Sequence, residues 1–177
     1  MYRLMNLQPY IGAKKTLVIS TEEIEQFYTL ESRIFVHTVR GNSLLHYDQE
    51  QKEVLKYYIE QKTCSQIIVV GSKNSDWVAT VQQDESLYLL AASLKFNLSV
   101  LLRNKHDNIL NQKIRTQMMR EFLIAKQCKF LMEYFFIKEK VRQNKLNIRG
   151  VVPVLDSELL KPIYHNGIVY NDLLTLN

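Results

Sequence analysis

Cysteine, proline and glycine are all scarce in this chain of 177 residues, at two, three and five copies. Cys64 and Cys128 are too far apart to build a zinc-finger or thioredoxin-like spacing, and in the cytoplasm both thiols are expected to stay reduced and to pack as small hydrophobes. With so little glycine and proline, and no repeat or low-complexity tract, long disordered linkers are not expected. The apolar runs are short and broken by charge, which excludes a membrane span and any membrane partner of that kind. The opening MYRLMNLQPYIGAKK lacks the unbroken apolar core of a signal peptide. A cytoplasmic location is therefore the expectation. The 46% hydrophobic content supports one core, hence a single domain over residues 1–177 that folds alone or as a dimer.

The net charge of +5 is unevenly placed. Residues 103–149 carry twelve Lys/Arg against four Asp/Glu, which leaves eleven against fourteen elsewhere: +8 in that segment and −3 outside it. Such a segment can attract nucleic acid or an acidic partner, but it equally suits the solvated face of a long helix. It has no glycine-rich or aromatic RNA motif and no recognition helix, so nucleic acid is not an expected partner.

Alternation and spacing give the elements. TLVIS (16–20) reads as a short buried strand, and TEEIEQFYTLES (21–32) as a helix capped by Ser20 or Thr21. RIFVHTVRGN (33–42), with Ile34, Val36 and Val39, reads as a second strand ending at Gly41-Asn42. Val54, Leu55, Tyr58 and Ile59 give residues 48–62 one apolar helical face, and this helix leads into a strand at 66–70. Strand, helix, strand repeated in this way implies α/β: a mainly parallel sheet flanked by helices. Residues 86–102 are ambiguous, with helix favoured up to Lys95. Residues 108–143 form one long helix or two nearly continuous ones, whose face from Ile114 to Phe136 is core or dimer interface. IRGVVPVLDSELLKPIYHNG (148–167) reads as a hairpin at the edge of the sheet, turning at Asp156-Ser157.

The β-branched run Ile67-Ile68-Val69-Val70 stops at Gly71 and opens into Ser72-Lys73-Asn74-Ser75-Asp76-Trp77. Small polar residues at the carboxyl end of a buried strand are where α/β proteins place their chemistry. With its elements in this order, the chain resembles the β-class carbonic anhydrases from about Thr16 to Tyr164. That family runs from a strand ending Cys-x-Asp-x-Arg, through Phe-Val-Val-Arg-Asn-x-Gly-Asn, to a strand ending Gly-His-x-x-Cys-Gly. Phe35, Val36, Gly41 and Asn42 match the second motif, and 148–164 looks like the family's late hairpin. The resemblance implies the family's α/β fold and a homodimer with the cleft at its interface. The N-terminal part is shorter than the family's usual helical arm, which gives residues 114–136 a substitute role as a dimer surface.

The same resemblance implies a vacated metal site. Ser72 stands where the zinc-binding histidine belongs, Ser75 on the second cysteine, Asp76 on the following glycine, and Ser20 on the first cysteine. Glu22 falls on the aspartate and Ile24 on the arginine. Catalytic zinc needs thiolate or imidazole ligands to lower the pKa of its water towards about 7. Serine hydroxyls remain neutral, and unassisted water near 15.7 supplies almost no hydroxide. Zinc is therefore not an expected cofactor, and hydration of carbon dioxide by the family mechanism is not expected.

Two readings of the vacated positions remain. Ser20, Glu22, Gly41, Asn42, Ser72, Lys73 and Ser75 could form a pocket for a small anion, or small polar residues could simply satisfy strand-end backbone groups. An unknown protein partner is the other expectation for a silent homologue. A serine nucleophile with His37 or His46 as base has no Gly-x-Ser-x-Gly elbow to support it. Nothing in the spacing recommends a metal site from His37, Glu22 and Asp76. Trp77 is assigned to interface or core packing rather than to covering a ligand. His106 is placed in a charged loop and His165 in a turn.

Overall fold

The computed structural model describes residues 2–3, 7–20, 24–25, 33–39, 49–71, 109–154, 157 and 159–170. In chain order the elements are β1 (Tyr2–Arg3), α1 (Gln8–Ile11), β2 (Thr16–Ser20), β3 (Ile24–Glu25), β4 (Ile34–Thr38) and α2 (Gln49–Lys56). They continue with β5 (Gln66–Val70), α3 (Ile109–Leu131), α4 (Phe135–Arg142), β6 (Asn147–Pro153), β7 (Leu160–His165) and β8 (Ile168–Val169). Six strands form one sheet in the order β4-β2-β5-β6-β7-β8. The first four run parallel, and β7 and β8 are added antiparallel.

β2 and β5 are buried along their whole length because both faces of the sheet are covered, and continuous apolar runs mark such strands. On one face Leu17, Ile19, Ile67, Val69, Ile148 and Val152 pack with residues of α2, α3 and α4, including Leu55, Phe122 and Ile124. On the other, Val18, Ile68, Val70 and Val151 pack under Leu7 and Ile11. Each such side chain contributes roughly 1.5–3 kcal/mol on leaving water. α1 is held in place by polar ties. Gln66 Nε2 donates to the Tyr10 carbonyl at 2.6 Å, and the Tyr10 hydroxyl donates to the Leu160 carbonyl at 2.6 Å.

Left-handed residues end the connecting elements. α2 continues through Tyr57–Gln61 in π geometry, with Lys62 N–H donating to the Tyr57 carbonyl at 3.0 Å. Thr63 then takes φ 57°, costly for a β-branched residue, and its hydroxyl accepts from Lys15 Nζ at 3.0 Å. Asn144 plays the same part after α4 at φ 56°. Asn166 and Gly167, at φ 47° and 100°, make the two-residue turn between β7 and β8. Asn166 Oδ1 accepts from Ile148 N–H at 2.7 Å, so this turn is pinned to β6.

The α/β reading, the strands at 16–20 and 66–70, the helix beginning near 48, the paired helices within 108–143 and the 148–167 hairpin all agree with the structure. Four expectations need correction. Residues 24–25 lie in β3, paired in parallel with β1, rather than in a helix over 21–32; a strand partner from the N-terminus overrides local propensity. The hairpin is not the edge of the sheet, because β8 extends it. Arg120 is buried rather than on a solvated helix face. The apolar face offered as a dimer surface is used by the chain's own core, since Phe122, Ala125 and Leu131 are buried in it. The ambiguous stretch 86–102 lies outside the described residues.

α3 approaches the sheet most closely at Gly150. A Cβ built there would lie 2.9 Å from Cys128 Sγ and from Ile124 Cγ2, and 3.1 Å from Tyr164 Cβ. Overpacking of a filled core costs roughly 1–3 kcal/mol. Gly150→Ala is therefore expected to lower stability by about that amount, read as a reduced urea midpoint with an unchanged slope.

Candidate functional site

The carboxyl ends of the parallel strands come together as the sequence implies. Ser20, the last residue of β2, lies opposite Thr38 of β4 and Val70 of β5, and it is buried. Its carbonyl accepts from Val39 N–H at 2.8 Å, and Gly71 N–H donates to the Val151 carbonyl at 2.9 Å. Backbone bonding thus ties β2 to β4 and β5 to β6 at this edge. A Cβ on Gly71 would stand 3.1 Å from both Ile124 Cγ1 and Val152 Cγ1, so the strand end sits directly under α3. Glu22, Gly41, Asn42, Ser72, Lys73, Ser75 and Asp76 lie outside the described residues, as do His46, Trp77 and His106.

His37 lies one residue before the end of β4, opposite Ile19. Its ring is 6.4 Å from that of Tyr58, centroid to centroid, and burial pushes its pKa below the ordinary value. His165 lies at the opposite end of the sheet, where burial, then Arg149, then Lys14 lower its pKa.

The structure also brings together a group that the sequence reading missed. Glu121 of α3 is almost fully buried, and its Oε1 accepts from Lys161 Nζ at 3.4 Å and from Gln117 Nε2 at 3.2 Å. Among the described residues Glu121 Oε2 and Gln117 Oε1 meet no donor. Lys161 stands opposite Val152 on β7, so the group sits towards the carboxyl end of β6, one helical turn beyond Ile124. The signal was present in the periodicity: Met118, Glu121, Phe122, Ala125 and Cys128 share one helical face, and a carboxylate on an apolar face calls for a partner.

A mainly parallel sheet flanked by helices and extended by an antiparallel hairpin is the fold of the β-carbonic anhydrases. Two tetrameric β-carbonic anhydrases from the ascomycete Sordaria macrospora define one such match, with a TM-score of 0.58 at 15% identity, covering 86% of this chain and 81% of that one. A β-carbonic anhydrase of the fungal pathogen Aspergillus fumigatus gives a TM-score of 0.59 at 13% identity, covering 90% and 79%. The Coccomyxa enzyme, solved with acetazolamide, gives 0.54 at 15%, covering 90% and 77%. No curated protein matches the chain. The family model for carbonic anhydrase matches residues 23–159, and the chain belongs to that family.

The family implies a zinc ion, and the donors described here do not fit one. Cys64 lies before β5, at the end of the sheet away from Ser20, and Cys128 lies beneath α3 against Gly150. Burial pushes the Cys64 thiol up to about 11, with a smaller opposing effect of Lys15, and burial holds Cys128 well above its ordinary value. Zinc binds thiolates, whereas these two thiols keep their protons at neutral pH. Among the described residues no three His, Cys, Asp or Glu side chains group closely enough to hold a metal.

Two outcomes follow. Lys161→Ala leaves the Glu121 carboxylate short of its cation and is expected to cost about 1–3 kcal/mol, measured by urea unfolding, with Glu121→Gln/Lys161→Ala recovering part of the loss. The lowered pKa values of His37 and His165 mean that the folded chain takes up protons less readily than the unfolded one. Their contribution to stability is full above the unfolded value near 6.5 and is lost as the pH falls through the folded values. The wild-type urea midpoint should fall between about pH 7 and pH 5, and His37→Gln should fall less.

Proposed function

We propose that this chain is a carbonic anhydrase family member that does not hydrate carbon dioxide by the zinc mechanism and works as a binding or assembly protein. The observation that carries this reading is the placement of sulfur. Both cysteines are buried with thiols held above their ordinary pKa, Cys64 ahead of β5 and Cys128 in the core between α3 and Gly150, while Ser20 occupies the strand-end position that resemblance assigns to a zinc ligand. A neutral hydroxyl there does not replace a thiolate.

A homodimer is part of the proposal, and the tetrameric Sordaria macrospora enzymes support assembly as a habit of this fold. A cytoplasmic location and a single domain over residues 1–177 complete it. Among the described residues no helix is long and apolar enough to cross a membrane.

A second reading is a zinc-independent site rebuilt in the same cleft, for a small anion, from Ser20, Glu22, Gly41, Asn42, Ser72, Lys73, Ser75 and Asp76. Ser20, buried at the carboxyl end of β2 between β4 and β5, supports it as the one of these residues that the structure describes.

Elemental mass spectrometry of the tag-free protein, run beside stopped-flow hydration of carbon dioxide, tests the proposal. Substoichiometric zinc and a rate equal to that of buffer are expected. One zinc per chain with measurable hydration would refute it.

A further inference from the structure

The pair Asn166-Gly167 is the only Asn-Gly in the sequence, and the fold puts it in the turn between β7 and β8 at φ 47° and 100°. Both residues take left-handed backbone, which the two-residue turn requires and which asparagine and glycine tolerate best. The same pair is chemically fragile. An asparagine amide is thermolabile because the next backbone nitrogen can attack it, and glycine leaves that nitrogen unscreened. Gly167 is exposed, and a Cβ built on it would meet nothing within 4 Å, so water reaches the attacking nitrogen freely.

The group under attack is tied down. Asn166 N–H donates to the Ile148 carbonyl at 3.0 Å, Asn166 Oδ1 accepts from Ile148 N–H at 2.7 Å, and Asn166 Nδ2 donates to Asn147 Oδ1 at 3.0 Å. The side chain is half-buried against the start of β6. Its carboxamide carbon therefore lies between two hydrogen bonds to β6, one from each end of the amide. Local opening of the turn is needed before that carbon can meet Gly167 N.

We infer that Asn166 is a site of spontaneous deamidation, gated by its side-chain bonds to Ile148 and Asn147, and that the product releases β8. When the gate opens, Gly167 N gives its proton to hydroxide, and its electron pair forms a bond to Asn166 Cγ. The Cγ–Nδ2 bond breaks, Nδ2 leaves as ammonia, and a succinimide closes. Water then opens the ring, leaving aspartate when it adds at Cγ and isoaspartate when it adds at the main-chain carbonyl. The net exchange is a water taken up for an ammonia lost, with no change of oxidation state. In isoaspartate the main chain runs through Cβ and Cγ, which lengthens it by one carbon, about 1.5 Å. The turn has no slack for that. The pairs Tyr164–Val169 and His165–Ile168, and the bond from Tyr170 N–H to the Ile163 carbonyl at 2.9 Å, cannot all survive it.

Peptide mapping by mass spectrometry, with aspartate and isoaspartate separated by chromatography, tests this on the full chain held at mildly alkaline pH, folded and in urea. Both products are expected at Asn166, forming about five- to a hundredfold more slowly in the folded chain, the effect of two hydrogen bonds. Asn147→Ala removes one acceptor and should speed the folded reaction about two- to tenfold. Asn147→Asp keeps an acceptor and should not. Hydrogen exchange of the Tyr170 amide should be faster in the isolated isoaspartyl protein than in Asn166→Asp, whose chain path is unaltered. Equal rates folded and in urea overturn the gate, as does equal acceleration by the two Asn147 variants. If Asn147→Ala does not fold, the comparison of folded chain with urea decides alone. No product in the folded chain after about a hundred of the half-times measured in urea overturns the site. Equal exchange of Tyr170 in the two forms overturns the release of β8.

Discussion

The contact on which the rest of the structure depends is the seat of α3 on Gly150. Cys128 and Ile124 descend into the space that a side chain there would fill, and this fixes both the height and the phase of the helix. Ile124 also stands over Gly71 at the end of β5, where Val152 of β6 closes in from the side. Three residues of helix, about 4.5 Å, separate Ile124 from Glu121, which meets Lys161. The distance from a core glycine to this polar group is thus set by rigid helix geometry.

The two ends of the sheet are chemically opposite. At the carboxyl end a buried carboxylate shares one oxygen between a lysine and a glutamine, and the other oxygen is bare among the described residues. Burying charge with incomplete hydrogen bonding is expensive, so the contacts of Lys161 and Gln117 with Glu121 offset part of that cost. At the amino end the helices α2 and α4 deliver their carboxyl termini, and Lys62 and Lys145 follow them, where a helix's negative end favours a cation. That effect accounts for two of the positive groups. Lys15 is placed instead by its bond to the Thr63 hydroxyl at 3.0 Å, and Arg33 reaches the Ala13 carbonyl at 3.5 Å.

Where one physical signal dominated, the sequence was legible. β2 (TLVIS) and β5 (QIIVV) are buried throughout because both faces are covered, and they were found at their true limits. The α3 and α4 pair was legible because its apolar spacing holds without glycine or proline. The short β1–β3 pair was not, since its partner lies some twenty residues away and local propensity in Thr21-Glu22-Glu23-Ile24-Glu25 favours a helix. Of the candidate site only Ser20 falls on described residues, at the strand end where it was expected. Glu121 was overlooked because a single acid on an apolar face reads as the helix's polar flank until Lys161, forty residues later, is seen to lie beside it.

The scaffold can keep its shape while the chemistry at its edge changes, and the reason is in the backbone. Ser20 and Gly71 spend their main-chain groups on the sheet, through Val39 N–H to the Ser20 carbonyl and Gly71 N–H to the Val151 carbonyl. The strand ends are therefore spaced by hydrogen bonds that are indifferent to side-chain identity. A metal at such an edge would be held by the fold without being needed to hold it, unlike a zinc finger, whose folding energy comes from its ion. Exchange of ligand side chains there costs the reaction and leaves the core intact. What holds the frame is then the seat of α3 on Gly150, which core packing sets and the polar side chains of the strand ends do not.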